Sequence, residues 1–317
     1  MTLTLFWRVI FCGILLVAGK YAYAADPCST TSGSASFSNN SSFTYATNEL
    51  SITASSGLSC GGSTLVVAGT SSFTATVSSA HYSGTPQLFN STTNSYLPYK
   101  LCQDTSCGVI YNTANPAFTW TVTSLLDLLK LLTATNNTLP LYLKTIPGIN
   151  IPAGIYTDTL TINWNYTLCD VAVVVCLSYI TGSATSTITV TATVTNDCYI
   201  DNAPDVNFGS APLPAQFQKI NSALSVRCTK NATYKVNMTS QNPVNGDWRQ
   251  MLDSTGNHAL QYQLYHDDNT AWTSTSDVSQ MGNGISQPIN YSAKINPSQD
   301  NQPAGTYTDK VLVTVTY

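Results

Sequence analysis

Charged side chains are scarce in this sequence, and their scarcity excludes one large class of partner. They make up 9% of the 317 residues, Glu49 is the only glutamate, and the formal net charge is −4. Binding to nucleic acid requires a clustered basic surface, which this composition does not supply. We therefore expect no nucleic-acid partner.

Motifs of catalysis and metal binding are missing as well. The sequence contains no Gly-x-Ser-x-Gly, His-Glu-x-x-His or phosphate-binding loop motif. His266 is followed by Asp267 and Asp268, which are possible metal ligands, but a solvated turn explains this triplet more simply. We predict a protein that is not an enzyme and that needs no cofactor.

Long apolar runs are absent beyond the N-terminus. There, Arg8 precedes the apolar residues 9–18, and Ala-Tyr-Ala follows at 22–24. This is the pattern of a secretory signal peptide with its cleavage site, and the run is short for a membrane span. We expect residues 1–24 to be removed and the remaining chain to be exported.

The sequence is instead rich in Ser, Thr, Asn, Tyr and Val, which are poor helix formers or favour strands. Short segments such as LSITASS, FTATVSS and YKVNMTS alternate apolar and polar residues between turn signals. A period of two is typical of strands with one buried face. The sequence therefore predicts an all-β protein of immunoglobulin-like β-sandwiches.

The chain contains two copies of one module. PAGIYTDTLTINWNY at 152–166 matches PAGTYTDKVLVTVTY at 303–317, and residues 86–105 align with 249–269. Self-similarity of this length indicates tandem domains rather than a solenoid.

We expect the first module to occupy residues 25–186 and the second to occupy 187–317. Asp158 and Asp309 recur at the same position of the repeat. A structural role in a turn explains this recurrence better than a pair of catalytic carboxylates would.

Cysteine usage points to disulfides, because the exported chain keeps an even number of them. The eight that remain after the signal peptide are Cys28, Cys60, Cys102, Cys107, Cys169, Cys176, Cys198 and Cys228. Their spacing suggests two long links, 28 with 60 and 198 with 228, and two short clips, 102 with 107 and 169 with 176. Spacing alone leaves the connectivity open. A long link closes about 30 residues and stabilises by roughly 3–4 kcal/mol in the chain-entropy model.

The two modules differ after their PAG strands. The first continues with CLSYITGSATSTITV at 176–190, whereas the second reaches only Tyr317, the last residue of the matching strand. If both modules share one fold, the second lacks a strand. Such a sandwich exposes unpaired backbone groups and a hydrophobic groove, so it borrows a strand from another chain by donor-strand complementation.

These segments resemble a known family. PAGxYxDxVxVTxxY at the end of the chain, the early cysteine pair and VTATVTNDC at 190–198 are similar to spore coat protein U domains, the subunits of archaic (Csu-type) chaperone–usher pili. A chain with two such modules resembles the tip adhesin of these pili. That resemblance implies an N-terminal adhesin domain and an incomplete C-terminal pilin domain.

The resemblance also implies partners and a location. A periplasmic pilus chaperone and then the next pilin subunit fill the groove, and an outer-membrane usher assembles the fibre. Shaft subunits carry a donor segment before their first cysteine, whereas only residues 25–27 precede Cys28 here, too few for a strand. We therefore expect export through the periplasm to the cell surface, at the tip of the fimbrium.

The first module is longer than the second at three apolar insertions, which we call the finger loops. They are residues 61–72, 123–138 and 170–175. Csu-type tip adhesins similarly carry hydrophobic finger loops, and alternate loops of an immunoglobulin-like sandwich share one pole. The candidate surface-binding residues are Leu65, Val66, Val67, Leu125, Leu126, Leu128, Leu129, Leu131, Leu132, Val171, Val173, Val174 and Val175. Alternatively, these loops fold back into the core of the first module.

We expect the finger loops to attach the protein to hydrophobic or abiotic surfaces by burying apolar tips, and so to promote biofilm formation. The clip between Cys169 and Cys176 lowers the entropy lost when such a loop binds. One alternative is a lectin-like adhesin that binds a glycan or host receptor through Trp120, Trp164 and Tyr166. Another is a structural subunit of a coat or pilus.

Overall fold

The structure is a computed structural model, and it describes residues 27–60, 69–123, 138–172 and 175–317. Within these ranges nearly all regular structure is strand, apart from a six-residue helix, α1 (Ser42–Thr47), and a single 3-10 turn. No helix in the same ranges is long and apolar enough to cross a membrane. The prediction of an all-β protein is confirmed.

The strands form two groups along the chain. The first group is β1 (Cys28–Thr30), β2 (Gly33–Ser41), β3 (Ser51–Ser55), β4 (Leu58–Cys60), β5 (Ser71–Ser79), β6 (Gln87–Asn90), β7 (Ser95–Cys102), β8 (Ala117–Val122), β9 (Pro140–Thr145), β10 (Gly154–Ala172) and β11 (Cys176–Thr195). The second group is β12 (Cys198–Asn202), the 3-10 turn (Pro214–Gln216), β13 (Ile220–Cys228), β14 (Thr233–Ser240), β15 (Arg249–Leu252), β16 (Ala259–His266), β17 (Val278–Met281), β18 (Gln287–Ile295) and β19 (Val311–Thr316).

Alternating side chains of these strands build two separate cores. In β10, for example, Tyr156 and Leu160 are fully buried, whereas Thr159 between them faces solvent. Strands of the first group enclose one apolar cluster, and β13, β14, β16 and β18 enclose the other. The period of two in the sequence therefore marks the inward faces, as predicted.

A long hairpin organises the first module. β10 and β11 are 19 and 20 residues long and pair antiparallel over nearly their whole length. On its other edge β10 pairs antiparallel with β5, and the other edge of β11 pairs in parallel with β2. Since β10 has neighbours on both edges, its inward side chains are enclosed.

The second module divides into two sheets. β12, β13, β18, β16 and β15 form a five-stranded sheet in that order, and β17, β14 and β19 form a three-stranded one. This arrangement places β19, the counterpart of β10, at the edge of the smaller sheet.

The expected boundary at residue 187 falls inside β11. This strand continues to Thr195, and Val190, Ala192 and Val194 belong to the first core. β12 begins soon afterwards at Cys198. We propose that the modules divide at residues 196–197.

The four disulfides join the cysteines that the spacing favoured. They are Cys28–Cys60, Cys102–Cys107, Cys169–Cys176 and Cys198–Cys228. The two long links occupy the same position in both modules, because each joins facing residues of an antiparallel strand pair. The two modules therefore share the position of their long disulfide as well as their sequence pattern.

The two modules meet through a polar and aromatic junction. The hydroxyls of Ser42 in α1 and Thr229 after β13 share a buried hydrogen bond of 2.8 Å. The Arg227 guanidinium lies 5.2 Å from the ring centroid of Phe43 and 5.3 Å from that of Tyr199. These contacts join side chains of both modules, so they orient one module against the other.

Asp158 is the centre of a buried hydrogen-bond network in the first module. Its carboxylate accepts bonds from the Ser79 hydroxyl at 2.6 Å, the Tyr99 hydroxyl at 2.8 Å and the backbone N–H of His81 at 3.2 Å. Burial, reinforced by this carboxylate, raises the pKa of Tyr99 well above its ordinary value. The network ties β10 to β5 and β7.

The repeat carries the same network at Asp309. This carboxylate accepts bonds from Ser240, from the Tyr262 hydroxyl at 2.6 Å and from the backbone N–H of Asn242 at 3.3 Å. Burial is the largest cause of a raised pKa at Tyr262, and the bond to Asp309 adds to it. Asp309 itself is only half-buried, whereas Asp158 is 1% exposed.

Replacing Asp158 by Ala should destabilise the first module more than Asp309→Ala destabilises the second. Each buried donor left without its acceptor lowers the free energy of unfolding by about 1–3 kcal/mol. The loss should be larger at Asp158, because this side chain is more deeply buried than Asp309. For Asp158→Ala we expect the melting temperature of the first module to fall by about 5–10 °C in calorimetry of the full chain. Equal, small shifts for both variants would show that the network does not support the fold.

Candidate functional site

The last strand of the second module is paired on one edge only. Among the described residues, β19 pairs with β14 and with no other strand. Its inward side chains Val311, Val313 and Val315 are half-buried. The repeat counterparts of the first two, Leu160 and Ile162 in β10, are fully buried. The difference arises because β11 covers the second edge of β10.

A second segment of this module also lacks a ladder partner. Residues 203–209 follow β12 and form no strand. By the repeat they correspond to β2, which pairs in parallel with β11 in the first module. Val206 and Phe208 pack against the second core, and the Phe208 ring lies edge-on to Tyr262 with centroids 6.2 Å apart.

An open groove separates this segment from β19. It has a cavity volume of 570 Å³, and its apolar lining includes Val206, Phe208, Leu224, Met238, Tyr262, Val311 and Val313. Its position is the one that β11 fills in the first module, where Ile188, Val190 and Ala192 are fully buried. The groove therefore has the shape and polarity to accept one β-strand.

The described flanks of the three finger loops lie together at one end of one sheet. Ser71, at the start of β5, pairs with Val122, at the end of β8. The Cys169 N–H donates to the Ser71 hydroxyl at 3.1 Å, and a Cβ on Gly69 would lie 2.5 Å from the Cys169 sulfur. The roots of the three loops thus share a pole of the first module.

Most of the predicted finger residues lie outside the described residues. These are Leu65, Val66, Val67, Leu125, Leu126, Leu128, Leu129, Leu131, Leu132, Val173 and Val174. Val171 pairs with Ser178 in the β10–β11 hairpin, and Val175 is 63% exposed. The binding role of the whole set stays a prediction.

Two exposed residues extend this apolar set down β11. Leu177 is 65% exposed and Tyr179 is 52% exposed. Alternate residues of a strand point to the same face. Leu177 and Tyr179 therefore lie on one face of β11, and they follow Val175 at intervals of two residues. The alternation of the segment CLSYIT contains this signal, although the predicted finger residues end at Val175.

The finger pole and the second module occupy opposite ends of the first module. The β10–β11 hairpin turns beyond Ala172 near the finger roots, and β11 ends at Thr195 beside the second module. A strand of this length spans roughly 60 Å. The hairpin therefore holds the apolar loops far from the groove.

The aromatic residues proposed for a glycan site are core residues. Trp120 is 7% exposed, Trp164 is 1% exposed and Tyr166 is 2% exposed. The Trp164 indole N–H donates to the Ser186 hydroxyl at 2.9 Å, which donates to the Ser56 carbonyl at 2.6 Å. The prediction that these three rings form an exposed stacking surface is wrong, because their alternation places them on the inward face.

The His266 triplet forms a turn. The imidazole stacks on Trp272 with centroids 4.4 Å apart, and burial lowers the pKa of His266. Asp268 accepts bonds from the backbone N–H of Thr270 at 2.9 Å and from its hydroxyl at 2.6 Å. These contacts give both polar side chains a structural role in the turn after β16.

Solved structures of pilus-tip subunits are similar to this chain to different degrees. The complex of the CsuC chaperone with the CsuE tip adhesion subunit, from archaic chaperone-usher Csu pili of Acinetobacter baumannii, is 26% identical with a TM-score of 0.60, over 92% of this chain and 100% of that chain. The CupB6 tip adhesin from Pseudomonas aeruginosa is 12% identical with a TM-score of 0.34, over 92% and 94%. A TM-score this low carries no argument about function.

Family comparison covers both modules. No curated protein sequence matches the chain. The model of the Spore Coat Protein U domain matches residues 15–163 and again residues 184–314. These two matches follow the internal repeat and account for most of the sequence. The chain therefore belongs to the Spore Coat Protein U domain family.

Proposed function

We propose that this protein is the tip adhesin of a chaperone–usher pilus. Its first module attaches to surfaces and its second module joins the fibre. The observation that carries the proposal is the apolar groove beside β19, because a domain with an unfilled strand position is built to take a strand from a partner. The similarity to the CsuE subunit supports the same assignment.

The first module supplies a template for the missing strand. In it, Ile188 lies opposite Leu160, and Val190 lies opposite Asp158. The repeat counterparts of these β10 residues are Val311 and Asp309. We infer that the donor strand runs antiparallel to β19 and parallel to residues 203–209, with β-branched side chains facing these two positions.

In this proposal, burial of apolar side chains in the groove drives the assembly of the pilus. A periplasmic chaperone first inserts a strand, an outer-membrane usher receives the complex, and the next pilin replaces the chaperone strand with its own. Fully burying a Val side chain stabilises by about 1.5–3 kcal/mol. Half-buried Val311 and Val313 of β19 line the groove, and half-buried Val315 follows them on the same face. New ladder hydrogen bonds along the free edge add specificity.

We further propose that the finger loops bind hydrophobic or abiotic surfaces and so start biofilm formation. Val175, Leu177 and Tyr179 already present an apolar stripe at their base. The Cys169–Cys176 disulfide holds this end of the hairpin closed, so less conformational entropy is lost on contact. Because the pole faces away from the second module, fibre assembly leaves it free.

The donor-strand proposal predicts that a strand fused to the C-terminus can fill the groove of the second module. Fusing a copy of residues 182–194 after Tyr317, through an Asn-Gly turn, places the Ile188 copy opposite Val311. We expect the second module to melt about 10 °C higher or more, because three half-buried valines become enclosed. Calorimetry of the exported chain measures this shift.

A matched fusion with Asn in place of the Ile188 and Val190 copies serves as the control. It keeps the length and the backbone donors but places polar groups in the groove. If both fusions stabilise the second module equally, or if neither does, the groove is not a strand-acceptor site.

The finger proposal predicts that polar substitutions remove adhesion without removing pili. Val173, Val174, Leu128 and Leu129 are changed to Ser in one variant, and Val175, Leu177 and Tyr179 in another. Exposed apolar groups add little to folding but drive attachment. We expect attachment to polystyrene to fall by about tenfold or more, while surface pili, counted on the same cells, stay at wild-type numbers.

Val244 and Ile285 of the second module provide a matched control, since they are 64% and 62% exposed. Changing both to Ser removes exposed apolar area outside the finger loops, and attachment should be unchanged. Loss of pili in the finger variants would show that these loops belong to a core. Normal pili with undiminished attachment would place the binding surface elsewhere.

A further inference from the structure

Three aromatic rings form an exposed cluster on the outer face of the first module. Phe89 and Tyr96 face each other across the β6–β7 hairpin, and their rings stack at 4.8 Å between centroids. The His81 ring lies 5.0 Å from that of Phe89. Tyr96 is 41% exposed, and Phe89 and His81 are half-buried. None of the three belongs to the enclosed core.

The second module carries the same backbone without these rings. The backbone N–H of Asn242 donates to Asp309 as that of His81 donates to Asp158. Leu252 bridges to Thr308 and pairs with Ala259, as Phe89 bridges to Thr157 and pairs with Tyr96. The module thus folds with Asn, Leu and Ala in place of His, Phe and Tyr, so the fold does not require the aromatic cluster.

A shallow cavity of 420 Å³ adjoins the cluster. Its lining combines Phe89, the turn 90–93, the start of β10 at 153–155, and Thr157, without any charged residue. The hydroxyl-bearing residues Ser91, Thr92 and Thr157 are exposed on its rim. The cavity therefore offers an apolar ring face beside several neutral hydrogen-bonding groups.

The turn that frames this cavity is held in place by Asn90. Its side-chain oxygen accepts bonds from the backbone N–H groups of Thr92 at 2.9 Å and Thr93 at 3.1 Å. Its amide nitrogen packs against Gly154, where a Cβ would come within 2.1 Å. Gly154 has a φ of +145°, so a side chain there is excluded both by space and by backbone conformation. The cavity wall is thus formed before any ligand arrives.

We propose that this cavity and its aromatic cluster bind a neutral saccharide. The apolar face of a sugar ring packs on the Phe89 ring, which lines the cavity and is supported by the stacked Tyr96 ring, and its hydroxyls bond to the polar side chains of the rim. The absence of charged lining residues favours an uncharged sugar over an acidic or phosphorylated one. A neutral sugar has an apolar ring face and polar hydroxyls at its edge. These match the aromatic ring and the hydroxyl-bearing rim of this site.

The saccharide site is separate from the finger loops. Thr157 and Cys169 stand twelve strand positions apart on β10, a distance of roughly 40 Å. The site therefore does not depend on the proposed attachment to hydrophobic surfaces, and substitutions at one site leave the other intact.

Saturation-transfer NMR of the purified exported chain tests this site directly. The probes are the methyl glycosides of glucose, galactose, mannose and N-acetylglucosamine, with glucuronate as the charged comparison. We expect at least one neutral glycoside to bind with a millimolar Kd and glucuronate to bind more weakly.

The matched variant carries the residues of the second module, His81→Asn, Phe89→Leu and Tyr96→Ala. It should lose about tenfold or more in affinity for that glycoside, since stacking is removed, while its melting temperature stays near wild type. Tyr96→Ala alone, at the most exposed ring, should weaken binding in the same direction without threatening the fold. Tyr179→Ala at the finger pole should leave sugar binding unchanged.

Three results would overturn the proposal. In the first, no neutral glycoside binds the wild-type chain at tens of millimolar. In the second, the triple variant binds as well as the wild type, which would place the sugar elsewhere. In the third, the triple variant loses attachment to polystyrene although no sugar binds the wild type, which would make the cluster part of an apolar surface.

Discussion

The C-terminal strand of each module's repeat, β10 or β19, encloses its core only when it has a neighbouring strand on each edge, and the whole protein depends on how the two modules meet this constraint. In the first module β11 lies between β10 and β2, so the inward residues of β10 are fully enclosed. In the second module, β19 corresponds to β10 and residues 203–209 correspond to β2, but no described strand lies between them. Unpaired edge groups and half-buried valines suit that position to a strand from another chain.

The same hairpin that closes the first core also builds the proposed adhesive pole. Beyond Thr167, the last residue of β10 that pairs with β5, the described parts of β10 and β11 pair only with each other, and the Cys169–Cys176 disulfide clips this end of the hairpin. An isolated two-stranded ribbon is marginally stable in water, and the disulfide compensates for that weakness. In the proposed function, self-completion frees the first module for binding, and the open edge of the second module joins it to the fibre.

The fold was largely predictable because the repeat and the alternation are independent signals that agree. The disulfide pairs are those that the spacing suggested without fixing them, and both long links join facing strand residues. The strand after Cys176 was predictable from the repeat, but the expected boundary at 187 falls inside it, since the threonine-rich run before Thr195 gives a weak hydrophobic signal for where the strand ends. Trp164 and Tyr166 were read as surface residues because alternation alone does not say which face is inward. The cluster of His81, Phe89 and Tyr96 depends on hairpin register, which no local pattern reveals.

Hydrogen exchange at β19 tests the central claim most directly. In the free chain the amides of Val311–Thr316 should exchange much faster than those of β10, because one edge of β19 is unpaired. A synthetic peptide with the sequence of residues 184–194, ATSTITVTATV, should slow them, whereas a scrambled peptide should not. If β19 is already as protected as β10 without any peptide, or if neither peptide changes its exchange, the second module is complete and the donor-strand account is contradicted.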